Sequence, residues 1–295
     1  MKFSVLDYLI VIIYLAGTVI AGFITARRQK NSRDYFLGGK ELKWWAVGFS
    51  IVASETSTLT FISIPGLAYK SDLTFMQLIF GYFIGRLLVT LVFIPAYYKG
   101  DIVTAYDFLG KRFGQKLRKL TSSVFLITRV LASGVRLFAT AIPVHIITGL
   151  DYPTSIAIIG LFTLLYTYMG GLKAVVTMDV VQLFIYLGGA VAALFVVFNG
   201  LPNGINDVFN YAAQSGIDKF RIFNTDFGGS VIGFLASPYT IAGGLLGGTF
   251  LTMASHGTDQ LLVQRLLGCK SKKDSQKALM LDASLIVLQF AFFLF

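Results

Sequence analysis

Apolar residues come in runs of about 20 along this chain, the length a helix needs to cross a bilayer core. Eight runs fit that length, at 4–25, 44–67, 74–98, 120–149, 153–171, 175–199, 231–262 and 279–295. The pattern predicts an all-α integral membrane protein. The first run is followed by "TARRQK" and lacks a small-residue cleavage site, so it reads as a retained span rather than a cleaved leader. The stretch 200–230, with "LPNGINDVFNYAAQSG", predicts an outer loop that carries a short amphipathic helix.

Composition agrees with this reading. Apolar residues make up 55% of the chain and charged residues 14%, where a soluble domain carries about a quarter. Mean hydropathy is +0.72. The net charge of +10 could suggest a nucleic-acid partner, but its distribution excludes one. Basic residues crowd into alternate loops: Arg27, Arg28, Lys30, Arg33, Lys40 and Lys43 on the first, a second set on 99–119, and a third after span seven. The positive-inside rule puts these loops in the cytoplasm and the N-terminus outside. The single cysteine, Cys269, supports neither an internal disulfide nor a cysteine metal cluster. No nucleophile–base pair or cofactor loop emerges, so an enzyme is not expected.

Ionisable groups inside spans are costly and therefore point to function. Glu55, Arg86, Arg129, Arg136 and Asp179 are of this kind. Arg129 and Arg136 are seven residues apart and share one helix face. The bland alternative is that such groups pair internally and lock helices together, with Arg86 as the partner of Glu55. Around Glu55 runs "ASETSTLTF", followed by "PGLAY". Clustered hydroxyls before Pro65 and Gly66 predict a helix that unwinds at depth, where freed carbonyls can coordinate a hard cation such as Na+. Hydroxyls bonding back to their own helix would be the structural alternative. Span seven repeats the theme, with Gly243, Gly244, Gly247, Gly248 and Gly257 before a polar run that includes Ser255, His256 and Asp259. His256 has no evident partner cluster, and Asp259 reads as a gate or a solvated residue. Two interrupted helices five spans apart fit a transporter built from inverted repeats.

The segments "DYFLGGKELKWWAVGFSIVASETSTLTFISIPGLAY", "YTYMGGLKAVVTMDVVQLFIYLGGA" and "DQLLVQRLLGCKSKKDSQKAL" resemble the sodium/solute symporter family over essentially the whole chain. The resemblance implies a LeuT-type inverted-repeat core after one extra N-terminal helix. It divides a single transmembrane domain, 1–295, into 1–43, a first five-helix repeat at 44–199 and the start of a second at 231–295. The chain ends inside an apolar span, so truncation after about eight spans is expected.

The resemblance also implies Na+ as coupling ion, held by backbone carbonyls of Ala53 and Thr56, with Asp179 at a further sodium site. Ser57 and Thr60 match substrate hydroxyls, while Thr60 and Ile79 cannot replace the polar contacts of the galactose carriers, which disfavours a hexose. The arginine that binds carboxylate in the sialic acid carriers aligns with Ala132, flanked by Arg129 and Arg136. Glu55, Ser57, Thr60, Arg129, Arg136 and Ser255 are therefore the expected substrate contacts, with Arg86 and Asp259 as gate or ion pair. The expected function is sodium-coupled symport of a small organic solute, by preference an anion, across the bilayer of the cell membrane, the inner membrane in a bacterium. Two alternatives stand beside it: a substrate-sensing module of a signalling protein, and a nonfunctional truncated symporter.

Overall fold

The computed structural model describes residues 4–26, 31–100, 102, 104–225, 229–236 and 239–295. Arg27, Arg28 and Lys30 of the first basic loop lie outside them. Helix α1, Val5–Ala26, covers the first expected span, and a short helix α2, Ser32–Leu37, follows. The second span is two helices, α3 (Trp44–Glu55) and α4 (Thr58–Lys70), bent by 66°. The break falls at Thr56 and Ser57, both in extended backbone. Pro65 was an expected cue for unwinding, yet it lies inside α4 and the helix continues past it. The hydroxyls decide the position of the break instead. Ser57 caps α4, its Oγ accepting from the Thr60 amide at 3.5 Å while Thr60 Oγ1 accepts from the Ser57 amide at 3.3 Å.

The third span joins α5 (Met76–Leu88) to α6 (Ile94–Lys99) through a π-helical turn at Val89–Phe93. Helix α7, Ala105–Phe113, precedes α8, Gln115–Thr148, which ends on left-handed Gly149. Helix α9, Tyr152–Gly200, holds the fifth and sixth expected spans, turned at Gly171 (φ 55°, ψ −161°). The amphipathic helix foreseen in the long connection is α10, Ile205–Gln214. Helix α11, Val231–Ala236, a π-helical turn at Gly243–Gly247 and α12, Gly248–Thr258, occupy the seventh stretch. There Asp259 adopts extended backbone and caps α13, Gln260–Leu267. Helix α14, Lys272–Leu294, closes the described chain.

Among the described residues five helices are long and apolar enough to cross a membrane, six when the bent α3–α4 pair counts as one. Two of the eight expected spans fall short for local reasons. Span 153–171 is present as a shorter apolar helix, Tyr152–Leu165, and span 231–262 is divided at its π-turn and at Asp259.

Helix α3 packs between α9 and α14, and α5 packs between α12 and α14. The α5–α12 crossing explains several span-seven glycines that the sequence reading assigned to helix interruption. A Cβ on Gly248 would sit 2.4 Å from the Leu78 carbonyl oxygen, and one on Gly81 would sit 2.5 Å from that of Gly244. Small residues let these backbones touch. Gly248→Ala must push the two helices apart and should cost about 1–3 kcal/mol, read as a lower melting temperature in detergent. An unchanged melt would mean the crossing is looser than described.

Candidate functional site

Four charged or titratable side chains from four helices converge where the two broken spans meet. Glu55 is the last residue of α3, and His256 lies in the last turn of α12. Arg86 on α5 is completely buried, as is Asp282 on α14. The guanidinium donates from Nη2 to Glu55 and from Nε to Asp282 Oδ2, the latter at 2.5 Å. His256 Nε2 lies 2.5 Å from Glu55 Oε1 and 3.8 Å from Asp282 Oδ2. The shorter distance is within hydrogen-bonding reach, although the ring N–H is not aligned for a linear hydrogen bond. On the other side of the ring, Ser255 Oγ is 2.9 Å from Nδ1. Arg86 is thus the partner of Glu55, as one sequence reading held.

His256 corrects the expectation that it stands without a cluster. Its partners come from α3 and α14, too remote in sequence for spacing to reveal. Asp282 was missed as well, although it met the same criterion as Glu55, an acid inside an apolar run.

Glu55 and His256 of the quartet border a cavity of about 410 Å³ whose lining includes Glu55, Thr60, Arg129, Arg136, Ser255 and Asp259. These are six of the expected substrate or gate residues. Arg129 Nη1 donates to Asp259 Oδ2 at 3.2 Å, and Asp259 Oδ1 also accepts from the Leu261 amide at 2.8 Å. Asp259 therefore caps a helix and holds an arginine. The Arg136 guanidinium faces the same cavity, and among the described residues it has no hydrogen-bond or ion-pair partner.

Ala53, Thr56 and Ser57 line a different cavity, about 590 Å³, together with Gln182 and Tyr186 of α9. The break therefore has two sides, with Glu55 and Thr60 on one and Ala53 and Ser57 on the other. The Thr56 hydroxyl donates to the Val52 carbonyl at 2.8 Å and accepts from Gln289 Nε2 of α14, also at 2.8 Å. Asp179 on α9 meets Ser50 on α3 and Arg265 on α13. Its Oδ2 accepts from Ser50 Oγ at 2.5 Å and from Arg265 Nη2 at 3.1 Å, and Arg265 Nε donates to Ser50 Oγ at 2.9 Å. Arg265 was read only as a basic loop residue, because its position just after a long apolar stretch looked cytoplasmic.

A model of the sodium:solute symporter family matches residues 35–295. The sodium/sialic acid symporter SiaT of Proteus mirabilis (strain HI4320) is 31% identical over 294 residues, covering 99% of this chain and 57% of that protein. The Homo sapiens sodium/iodide cotransporter is 29% identical over 285 residues, covering 95% of this chain and 43% of that one. A solved substrate-bound, outward-open structure of a Na+-coupled sialic acid symporter aligns with a TM-score of 0.85 at 31% identity. It covers 99% of this chain and 60% of that one. The chain spans about half the length of the curated relatives it matches. Its all-helical architecture is the LeuT-type fold, and it is a multi-pass membrane protein that belongs to the sodium:solute symporter family.

Proposed function

We propose that this chain forms the sodium- and solute-binding portion of a symporter that carries a small organic anion into the cytoplasm. The observation that carries the reading is an uncommitted guanidinium, Arg136, in a cavity walled by both helix breaks. A guanidinium fork suits a carboxylate, since two parallel N–H donors match its two oxygens. Similarity to two sodium/sialic acid symporters supports an anionic solute. Helix breaks beside a cavity supply free carbonyls, and the backbone carbonyls of Ala53 and Thr56 are the proposed sodium ligands. Asp179 is the proposed carboxylate of a further sodium site, held in place by Ser50 and Arg265. Ser57, Thr60 and Ser255 provide neutral hydrogen bonds near the solute. Sodium and solute then favour the same conformations, and the coupling is reciprocal.

The test is uptake of radiolabelled sialic acid and of short monocarboxylates by the full-length protein in proteoliposomes, with and without a sodium gradient. Arg136→Gln removes one charged hydrogen-bonding group worth about 1.5–3 kcal/mol. It should weaken apparent anion affinity about ten- to hundred-fold. Wild-type affinity in that variant removes Arg136 from the solute site. Sodium-dependent binding with no uptake would favour the sensing module instead.

A further inference from the structure

A groove of about 680 Å³ runs along the outside of the third span at its basic-loop end. Leu91, Val92, Pro95 and Ala96 line it from the span, and Ile102 and Phe108 line it from the following loop and α7. Leu91 and Val92 are each 59% exposed, on a helix long and apolar enough to cross a bilayer. Lys99 ends that helix, eight residues after Leu91, which places it about 12 Å further along the axis at the usual helical rise. The apolar part of the groove therefore lies at the depth of acyl chains, and its far end at the depth of headgroups.

That end is cationic. Lys99, Lys111 and Arg112 line the same groove, and all three are exposed. Lys111 Nζ donates to the Gly100 carbonyl, which seats a second ammonium at the end of α6 beside Lys99. The bond uses one of its three hydrogens. Among the described residues none of the three cations forms an ion pair. The segment 99–119 carries six basic residues against two acids, Asp101 and Asp107. Asp101 lies outside the described residues. Asp107 is engaged elsewhere, its Oδ1 2.7 Å from Arg118 Nη2 and its Oδ2 accepting from the Thr104 amide at 2.9 Å. Cations at one end of an apolar groove fit a molecule with an anionic head and apolar tails. Phosphate alone leaves the apolar walls unfilled, and a soluble peptide does not reach them.

We propose that this groove binds an anionic phospholipid, with the phosphate held by Lys99, Lys111 and Arg112 and an acyl chain laid along Leu91 to Ala96. Each Lys or Arg near the membrane surface contributes about five-fold in affinity for such a headgroup. The lipid braces α6, whose inner face donates from the Tyr97 hydroxyl to the Gly257 carbonyl in α12. Tyr97 also meets Phe108 of the groove edge-on, with ring centroids 5.9 Å apart. One helix thus separates the lipid from the candidate site. The lipid site does not rest on the symport reading.

The experiment titrates full-length protein in neutral detergent with phosphatidylglycerol and reads the melting temperature. Phosphatidylglycerol should raise it. Phosphatidylcholine, which has no net charge, and glycerol 1-phosphate, which has no chains, should not. Lys99→Gln, Lys111→Gln and Arg112→Gln together should move the titration midpoint about a hundred-fold to higher lipid. A matched triple on another basic loop, Lys270→Gln, Lys272→Gln and Lys273→Gln, should leave the midpoint where it was. Val92→Trp fills the groove and keeps the cations, and it should weaken binding as well. The six basic side chains substituted are all exposed, so both triples should fold. Equal responses to the two lipids, or equal losses in the two triples, would overturn the proposal. A full response to glycerol 1-phosphate would overturn it in favour of a free phosphate. Uptake plays no part, so an absent lipid response leaves symport standing, and failed uptake leaves the lipid site standing.

Discussion

Arg86→Leu should abolish recovery of a well-folded protein, or lower its melting temperature more than any other single change in the membrane core. The guanidinium is completely buried and holds Glu55 and Asp282 at once. Leucine fills much of the same space, so the loss is electrostatic rather than a cavity. What remains is two carboxylates sharing one buried site with a single imidazole. Removing one partner from a buried ion pair costs about 3–5 kcal/mol, and here one residue serves two partners. The expected signature lies in the rescue. Arg86→Leu combined with Glu55→Gln and Asp282→Asn, which leaves no unpaired charge, should recover much of the stability in a detergent melt. A single variant as stable as the parent would mean that the network does not hold the four helices together.

The second large effect belongs to Arg265. Its guanidinium reaches both Ser50 and Asp179 and also donates from Nη1 to the Leu261 carbonyl at 2.8 Å. Arg265→Leu strands Asp179 in an interface where one short hydrogen bond from Ser50 remains. The cost expected is again about 3–5 kcal/mol. Adding Asp179→Asn should return part of it, giving a coupling energy well beyond the error of about 0.5 kcal/mol expected for independent sites. Strict additivity of the two changes would show that the pair does not interact across α9 and α13.

Local chemistry was legible in the sequence, and remote pairing was not. The hydroxyl cluster from Ser54 to Thr60 announced a break in the second span, and the break falls at Thr56–Ser57. Pro65 was an equally visible cue that proved inert, because a helix tolerates one missing amide when its neighbours keep their own bonds. The glycines of span seven carried a helix-breaking signal and a packing signal at once. Only the crossing with Gly81 shows which applies at Gly244 and Gly248. Arg86 and Asp282 are 196 residues apart in the chain, a separation no periodicity can bridge. The π-turn at Val89–Phe93 left no compositional trace either, since an apolar run reads the same with one extra residue per turn.

The join between Leu42 and Cys269 has a practical consequence. The two residues form an isolated parallel bridge, the Leu42 amide donating to the Gly268 carbonyl at 3.1 Å, and Cys269 is completely buried on the basic-loop side. Burial also pushes its thiol up to about 12, so almost none is thiolate at neutral pH. Cys269 is the chain's single cysteine. Alkylation of that thiol is therefore doubly suppressed while the bridge is closed and released when it parts. This portion of the protein carries a native chemical clock for opening on that side, readable without engineered cysteines.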